Sequence, residues 1–317
     1  MSERGAERFP IEMRVNRHRW IFWSSMAGLL ITLSALLATL LFLVWQATPI
    51  IRQSGAGFVF GRLWYYPEQM FGALAMIYGT AVVSLVALTL AVPVALGTAV
   101  LSAEYLDAGA RLVVKSAVEL LAGVPSVVYG LIGVLFLREW VYRGLAPFDP
   151  ISGDSLFTAG LLLAVMILPT ITTLCDDALR AVPASQRAAA RSLGLTRAES
   201  VLHVALPQAA PGLLAAILLG LGRALGETVA VFLVVGRQDN QLPDKLFSWD
   251  ALISPGQTLT SKLGGPETHL AYGDPLHWAA MAGLAVLLLV MTALCLAAAK
   301  GIEKLTKSRA ARVAGQS

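Results

Sequence analysis

Pro183–Pro207 reads PASQRAAARSLGLTRAESVLHVALP, a polar, Arg-bearing stretch set between apolar runs long enough to cross a bilayer. Its grammar is that of two short helices. Pro183 suits a first helical turn, where its missing N–H would have no partner anyway. Gln186–Leu193 is Ala-rich and helix-forming, and Gly194 supplies the left-handed conformation that stops a helix. Thr196 and Glu199 then have the spacing of a capping box, which opens a second helix through about Ala205. Leu206-Pro207 is expected to close the unit. Such a knob is either a docking element for a partner or an ordinary structured loop.

Working outward, the 317-residue chain is 56% hydrophobic and 14% charged, with a mean hydropathy of +0.69. A soluble chain carries about 25% charged residues, so this one is read as a membrane protein. The net charge of +4 then reflects topology rather than nucleic-acid binding. Cys175 and Cys295 lie in or beside apolar runs and form no metal-type pair.

Segments near Trp20–Gln46, Gly72–Ser102, Val113–Leu137, Leu156–Cys175, Gly212–Val235 and Leu276–Ala299 reach the roughly 20 residues a spanning helix needs. An all-α, six-span polytopic fold follows. The first apolar run is too long for a signal peptide's core and is read as an uncleaved span. The chain divides into a tail (1–19), a first span with its outer loop (20–71), a transmembrane domain (72–300) that carries the 183–207 loop, and a second tail (301–317). Sixteen of the 24 Lys and Arg residues fall on the side holding both tails and the 183–207 segment, against seven opposite. That bias places the termini and the knob in the cytoplasm. The outer connection Gly236–Pro275 either covers a pore mouth, meets an external partner, or is a solvated loop.

Arg223 stands alone within a span, in LGRALGETV, with Glu227 four residues on. Intramembrane charges are costly and usually functional. On one continuous helix the two would share a face, beside the small pair Gly222 and Gly226 that admits a neighbouring helix. Arg223 offers a planar fork suited to an oxyanion. Glu227 either holds that guanidinium or accepts a hydrogen bond from a protonated oxyanion, which would favour hydrogen phosphate over sulfate. A self-compensating structural pair is the alternative. Glu119 is a further pathway candidate, with a solvated or capping role equally open. Pro125 must disturb its helix, and with Gly123, Ser126, Tyr129 and Gly130 it makes a kinked, polar-spotted stretch able to line a cavity, with packing an equal account of the same residues. No nucleotide loop GxxxxGK[ST], no HExxH, no CxxC pair and no GxSxG occurs, so no catalytic residue, metal site or nucleotide site is assigned.

These residues resemble the permease subunits of ABC importers, the inner-membrane components of binding-protein-dependent transport systems. Their cytoplasmic signature is matched here by Ala189, Ala190, Gly194, Val204, Leu206 and Pro207, with Ala188 where the family usually has Glu. More narrowly, three stretches are similar to one of the paralogous permeases of the high-affinity phosphate importer. They are ELLAGVPSVVYGL from Glu119, MILP from Met166 and GLGRALGETVAV from Gly220; TSKLGG from Thr260 also fits. The resemblance implies a type I (MetI-like) fold in the inner membrane, with Ala189, Ala190, Gly194, Leu206 and Pro207 coupling to the ATPase. Implied partners are a paralogous permease, two copies of a cytoplasmic ATPase holding ATP-Mg, and an extracytoplasmic phosphate-binding protein. Arg223 and Glu227 match family residues tied to phosphate passage, with Glu119 and Ser126 as further pathway candidates. An ABC permease for molybdate or sulfate, or a secondary transporter, are the competing readings.

Overall fold

Long apolar runs in a bilayer must satisfy their own backbone, and they do so here as helices. The computed structural model describes residues 11–243 and 248–314. Helix α1 (Ile11–Ser54) is followed by the short α2 (Ala56–Phe60) and a two-stranded ribbon, β1 (Trp64–Tyr65) with β2 (Met70–Phe71). Then come α3 (Leu74–Val100), α4 (Ala108–Gly123), α5 (Ser126–Ile132), α6 (Arg138–Gly144) and α7 (Leu156–Arg180). Helices α8 (Ala184–Ser192), α9 (Arg197–Ser200), α10 (Leu206–Gly226) and α11 (Val229–Val234) follow. The short α12 (Trp249–Ile253), α13 (Leu259–Leu263) and α14 (Glu267–Ala271) lead into α15 (Pro275–Ala314). Among the described residues five helical stretches are long and apolar enough to span, six if the bent pair Ala108–Gly123 and Ser126–Gly144 counts as one.

The centre is the packing of α3 on α7. Ala87, Ala91, Ala95 and Ala99 recur every four residues along α3 and are all buried, so the two backbones approach closely. A Cβ on Gly160 of α7 would come within 2.6 Å of Val86 Cγ1, which fixes that approach. Between membrane helices such small-residue packing replaces a hydrophobic driving force. Helix α10 joins the pair from the other side, where Gly220 lies against Ile171. By contrast, α1 buries Ala47 and Ile50 towards its C-terminal end, leaves its apolar middle exposed, and packs on α15.

Three expectations are corrected. The third segment, Val113–Leu137, is not one kinked helix: it breaks at Val124-Pro125 and bends by 90°. The fifth, Gly212–Val235, is not continuous. Its helix begins earlier and stops at Gly226, where Glu227 turns extended (φ −73, ψ 121). Leu206-Pro207 does not close the knob either. A π-helical turn over Val201–Ala205 joins α9 to α10, making one 30-residue helical stretch from Arg197 to Gly226. The wider turn runs Leu206 N–H back to Val201 O, so the ladder takes in Pro207, which has no N–H, without a break.

The connection Gly236–Pro275 is folded over its described residues rather than solvated throughout. Thr258, Thr260, Ser261, Lys262 and Leu259 are all buried. Leu259 packs with Ile50, Phe58, Trp64, Phe71, Met76 and Leu284 in a core separate from the α3–α7 one. The tails are helical where described, from Ile11 and through Ala314, and residues 1–10 and 315–317 lie outside the described set.

Candidate functional site

Two spans are broken, and the helices that follow the breaks, α5 and α11, pack on each other. At the first, Pro125 supplies no N–H, and the Tyr129 hydroxyl reaches back to donate to Leu121 O at 2.8 Å. That carbonyl, at the end of α4, also accepts from Val124 N at 3.3 Å, so the hydroxyl adds a second donor where the Pro125 N–H is missing. Ser126 opens α5, half-buried. At the second break, Arg223 lies in the last turn of α10 and Glu227 just after it. Helices α5 and α11 are drawn together by glycines. A Cβ on Gly130 would meet Leu233 Cδ1 at 2.6 Å, and one on Gly133 would meet Val234 Cγ1 at 2.8 Å.

The break separates the charges that a continuous helix would have paired. Arg223 Nη1 donates to Thr170 Oγ1 on α7 at 3.2 Å, and its side chain is otherwise exposed in this chain. Glu227 Oε1 instead accepts from Ala230 N at 3.3 Å, at the start of α11. No Arg223–Glu227 ion pair forms among the described residues, so a carboxylate holding the guanidinium in place is corrected. Each charge sits at the helix end that suits it, the cation at a C-terminus and the anion at an N-terminus. Gly222 and Gly226 have open space beside them, and close packing falls on Gly220 instead. Glu119 is not brought to the breaks' charges: it pairs with Lys115 at 3.9 Å on an exposed face of α4. An exposed pair of that kind is worth roughly 0–1 kcal/mol.

The 183–207 segment has the anticipated turn. Gly194 has φ +87, and Leu195 N donates to Ala190 O while Gly194 N donates to Arg191 O. Together these form a Schellman motif. The capping box is complete: Glu199 Oε2 accepts from Thr196 N at 2.8 Å, and Thr196 Oγ1 accepts from Glu199 N at 3.3 Å. Ala190 is buried at the base, whereas Ala188, Ala189 and Leu193 face outward, Leu193 at 81% exposure. Leu206 is partly buried and Pro207 exposed.

Sequence reasoning missed a charged cluster built on the 236–275 connection. Lys262, 3% exposed, pairs with Asp239 at 2.6 Å and with Glu267, and lies over the Trp64 ring. Glu267 also accepts from Trp64 Nε1 at 2.6 Å and contacts His277 Nε2 at 2.8 Å. Burial opposes ionisation of Glu267, but the hydrogen bonds from Lys262 and Trp64 and the Lys262 charge outweigh it and hold its carboxyl below the usual range. A cavity of about 310 Å³ adjoins the cluster, reached also by Arg237 and Gln257. The one signal in the sequence was TSKLGG, a Lys amid small residues. Its partners lie far along the chain.

A helical membrane body with two broken spans and an external helix–Gly–helix knob defines the permease class of binding-protein-dependent importers. Residues 91–308 match the family model described as "Binding-protein-dependent transport system inner membrane component", and the chain belongs to that family. It is a multi-pass inner-membrane permease component of an ABC importer, and ATP hydrolysis lies in a separate subunit. It is 34% identical over 318 residues to "Phosphate transport system permease protein PstC 1" of Mycobacterium bovis, covering 90% of this chain and 92% of that one. It is 33% identical over 272 residues to "Phosphate transport system permease protein PstC" of Mesorhizobium japonicum, covering 81% and 80%. Its fold is similar to that of a chain of the MetNI methionine ABC transporter, with a TM-score of 0.55 at 20% identity over 74% of this chain and 94% of that one. That likeness bears out the MetI-like architecture.

Proposed function

We propose that this permease carries inorganic phosphate into the cell, with Arg223 as the anion contact on the path. The observation that carries the reading is the placement of Arg223 at a helix break, in a span, with one described hydrogen bond and the rest of its fork open. Broken helices are where membrane proteins build substrate sites, because backbone groups and helix termini are exposed there. The names of the curated relatives support phosphate as the anion.

In this reading Glu227, held at the start of α11, accepts a hydrogen bond from a protonated oxyanion. Ser126 lines the opposite break, and Glu119 stands toward the inner mouth. Gly222 and Gly226, open in this chain, are the seam for a paralogous permease. The knob, with Ala189, Gly194 and Leu193 outward and Ala190, Leu206 and Pro207 at its base, docks one of two cytoplasmic ATPase subunits that bind ATP-Mg. An extracytoplasmic phosphate-binding protein delivers the anion, and both tails lie in the cytoplasm. ATP-driven closure moves the docked knobs as rigid bodies and switches access from outside to inside. The discriminating test is Glu227→Gln. The reading expects phosphate uptake to become more sensitive to competing sulfate. Unchanged discrimination would remove Glu227 from selectivity.

A further inference from the structure

We propose that Glu104 and Arg187 form the tie that passes the stroke of the coupling helices into α3, which makes them positioning residues for transport. The proposal rests on the importer reading above. It adds a mechanical link that the signature residues alone do not contain.

The inner end of α3 runs into a π-helical turn, Leu101–Tyr105. Arg187, on α8, places Nη2 at 2.8 Å from Glu104 Oε1, with the two side chains 16% and 10% exposed. The same guanidinium donates to Leu179 O at 2.6 Å and Val182 O at 3.1 Å, at the end of α7. One side chain thus joins the first coupling helix to the inner ends of both central helices. The second coupling helix grips the same turn, since Arg197 lies 5.0 Å from the centre of the Tyr105 ring. From the far side Arg111 donates to Ser102 O at 3.0 Å and Leu106 O at 3.2 Å. The turn is therefore a braced fitting rather than a frayed end.

The chemistry of the pair argues for transmission rather than mere filling. A buried ion pair is a poor way to stabilise a fold, because desolvation offsets its attraction. Here the pair is also incompletely satisfied. Glu104 Oε1 has no aligned hydrogen bond despite its proximity to the guanidinium, and the buried Arg187 Nε has no partner among the described residues. A fork rotated by a small displacement of α8 would engage both, so the contact has a second arrangement available to it. Two arrangements of one buried contact are what a coupling element requires. Among the described residues this is the ion pair that connects α8 or α9 to α3. From Glu104 the displacement passes along the Ala87–Ala99 seam, where α3 and α7 shift together.

The test uses the assembled importer in liposomes, measuring ATP hydrolysis and phosphate uptake for Glu104→Gln, Arg187→Ala and the double variant. Glu104→Gln is expected to keep the ATPase subunits bound and hydrolysing while uptake per ATP falls on the order of tenfold. In the Arg187→Ala background the Glu104 substitution is expected to add nothing, because the contact is already gone. Wild-type transport per ATP in Glu104→Gln, or independent losses that multiply in the double variant, would overturn the tie and leave the importer assignment standing. A wild-type complex that fails to transport with ATP would overturn both.

Discussion

Replacing Lys262 with Met is the sharpest structural perturbation the 236–275 cap offers. The ammonium is 2% exposed as a residue and serves two carboxylates, so its removal leaves Asp239 and Glu267 without their cation. Asp239 is 32% exposed and regains water, which limits its loss. Glu267 is 20% exposed and keeps only Trp64 and His277. Breaking a buried pair costs roughly 3–5 kcal/mol, and the remaining donors place this case near about 3 kcal/mol. That corresponds to about a hundredfold in the local opening equilibrium. Amide hydrogen exchange of the 256–274 segment reads that opening directly. Lys262→Met is expected to accelerate it about a hundredfold while leaving the α3–α7 amides unchanged. Adding Glu267→Gln is expected to recover a large part of the loss, because the stranded charge is gone. Unchanged exchange in Lys262→Met, or a double variant that exchanges still faster, would refute the view that this charge cluster holds the cap together.

Two further outcomes follow from single residues. Gly194 has φ +87 with nothing within 4 Å of its would-be Cβ, so only backbone strain opposes a side chain there. Gly194→Val is expected to cost at least about 1–2 kcal/mol in the knob. Co-purification with the ATPase would weaken while membrane insertion stays normal; full retention of the ATPase would contradict a preformed turn. Acidification acts on the cap through Glu267. Its carboxyl is held below its ordinary value, so its stabilisation is fully present above the unfolded value of about 4.3. That stabilisation is lost as pH falls through the lower, folded value. Protection in the 256–274 segment, as exchange relative to the intrinsic amide rate at each pH, should therefore fall on acidification in the wild type and stay flatter in Glu267→Gln.

How much of this was legible in the chain depends on the range of the interaction. The knob was readable because a Schellman glycine and a capping box are local, decided by residues within five positions of one another. Span positions were readable because hydropathy averages over about 20 residues. That same averaging hid the breaks. Gly226 followed by Glu-Thr reads as a helix stop, yet it reads equally as a close-packing step, and only the α5–α11 approach decides between them. The π turn over Val201–Ala205 was hidden because Pro207, after an apolar pair, looks like an end. Lys262 was counted as one more outside charge, since Trp64, Asp239, Glu267 and His277 meet it only through the tertiary fold. Glu104, likewise, gains a partner 83 positions away.

The central claim is ATP-driven phosphate passage past Arg223. Phosphate uptake into liposomes holding the purified complex, with wild-type chain and with Arg223→Ala, tests it most directly. Uptake is expected to require ATP and the ATPase subunits, and Arg223→Ala is expected to abolish it in a fully assembled complex. Uptake that persists in Arg223→Ala, or that an ion gradient drives without the ATPase, would contradict the account.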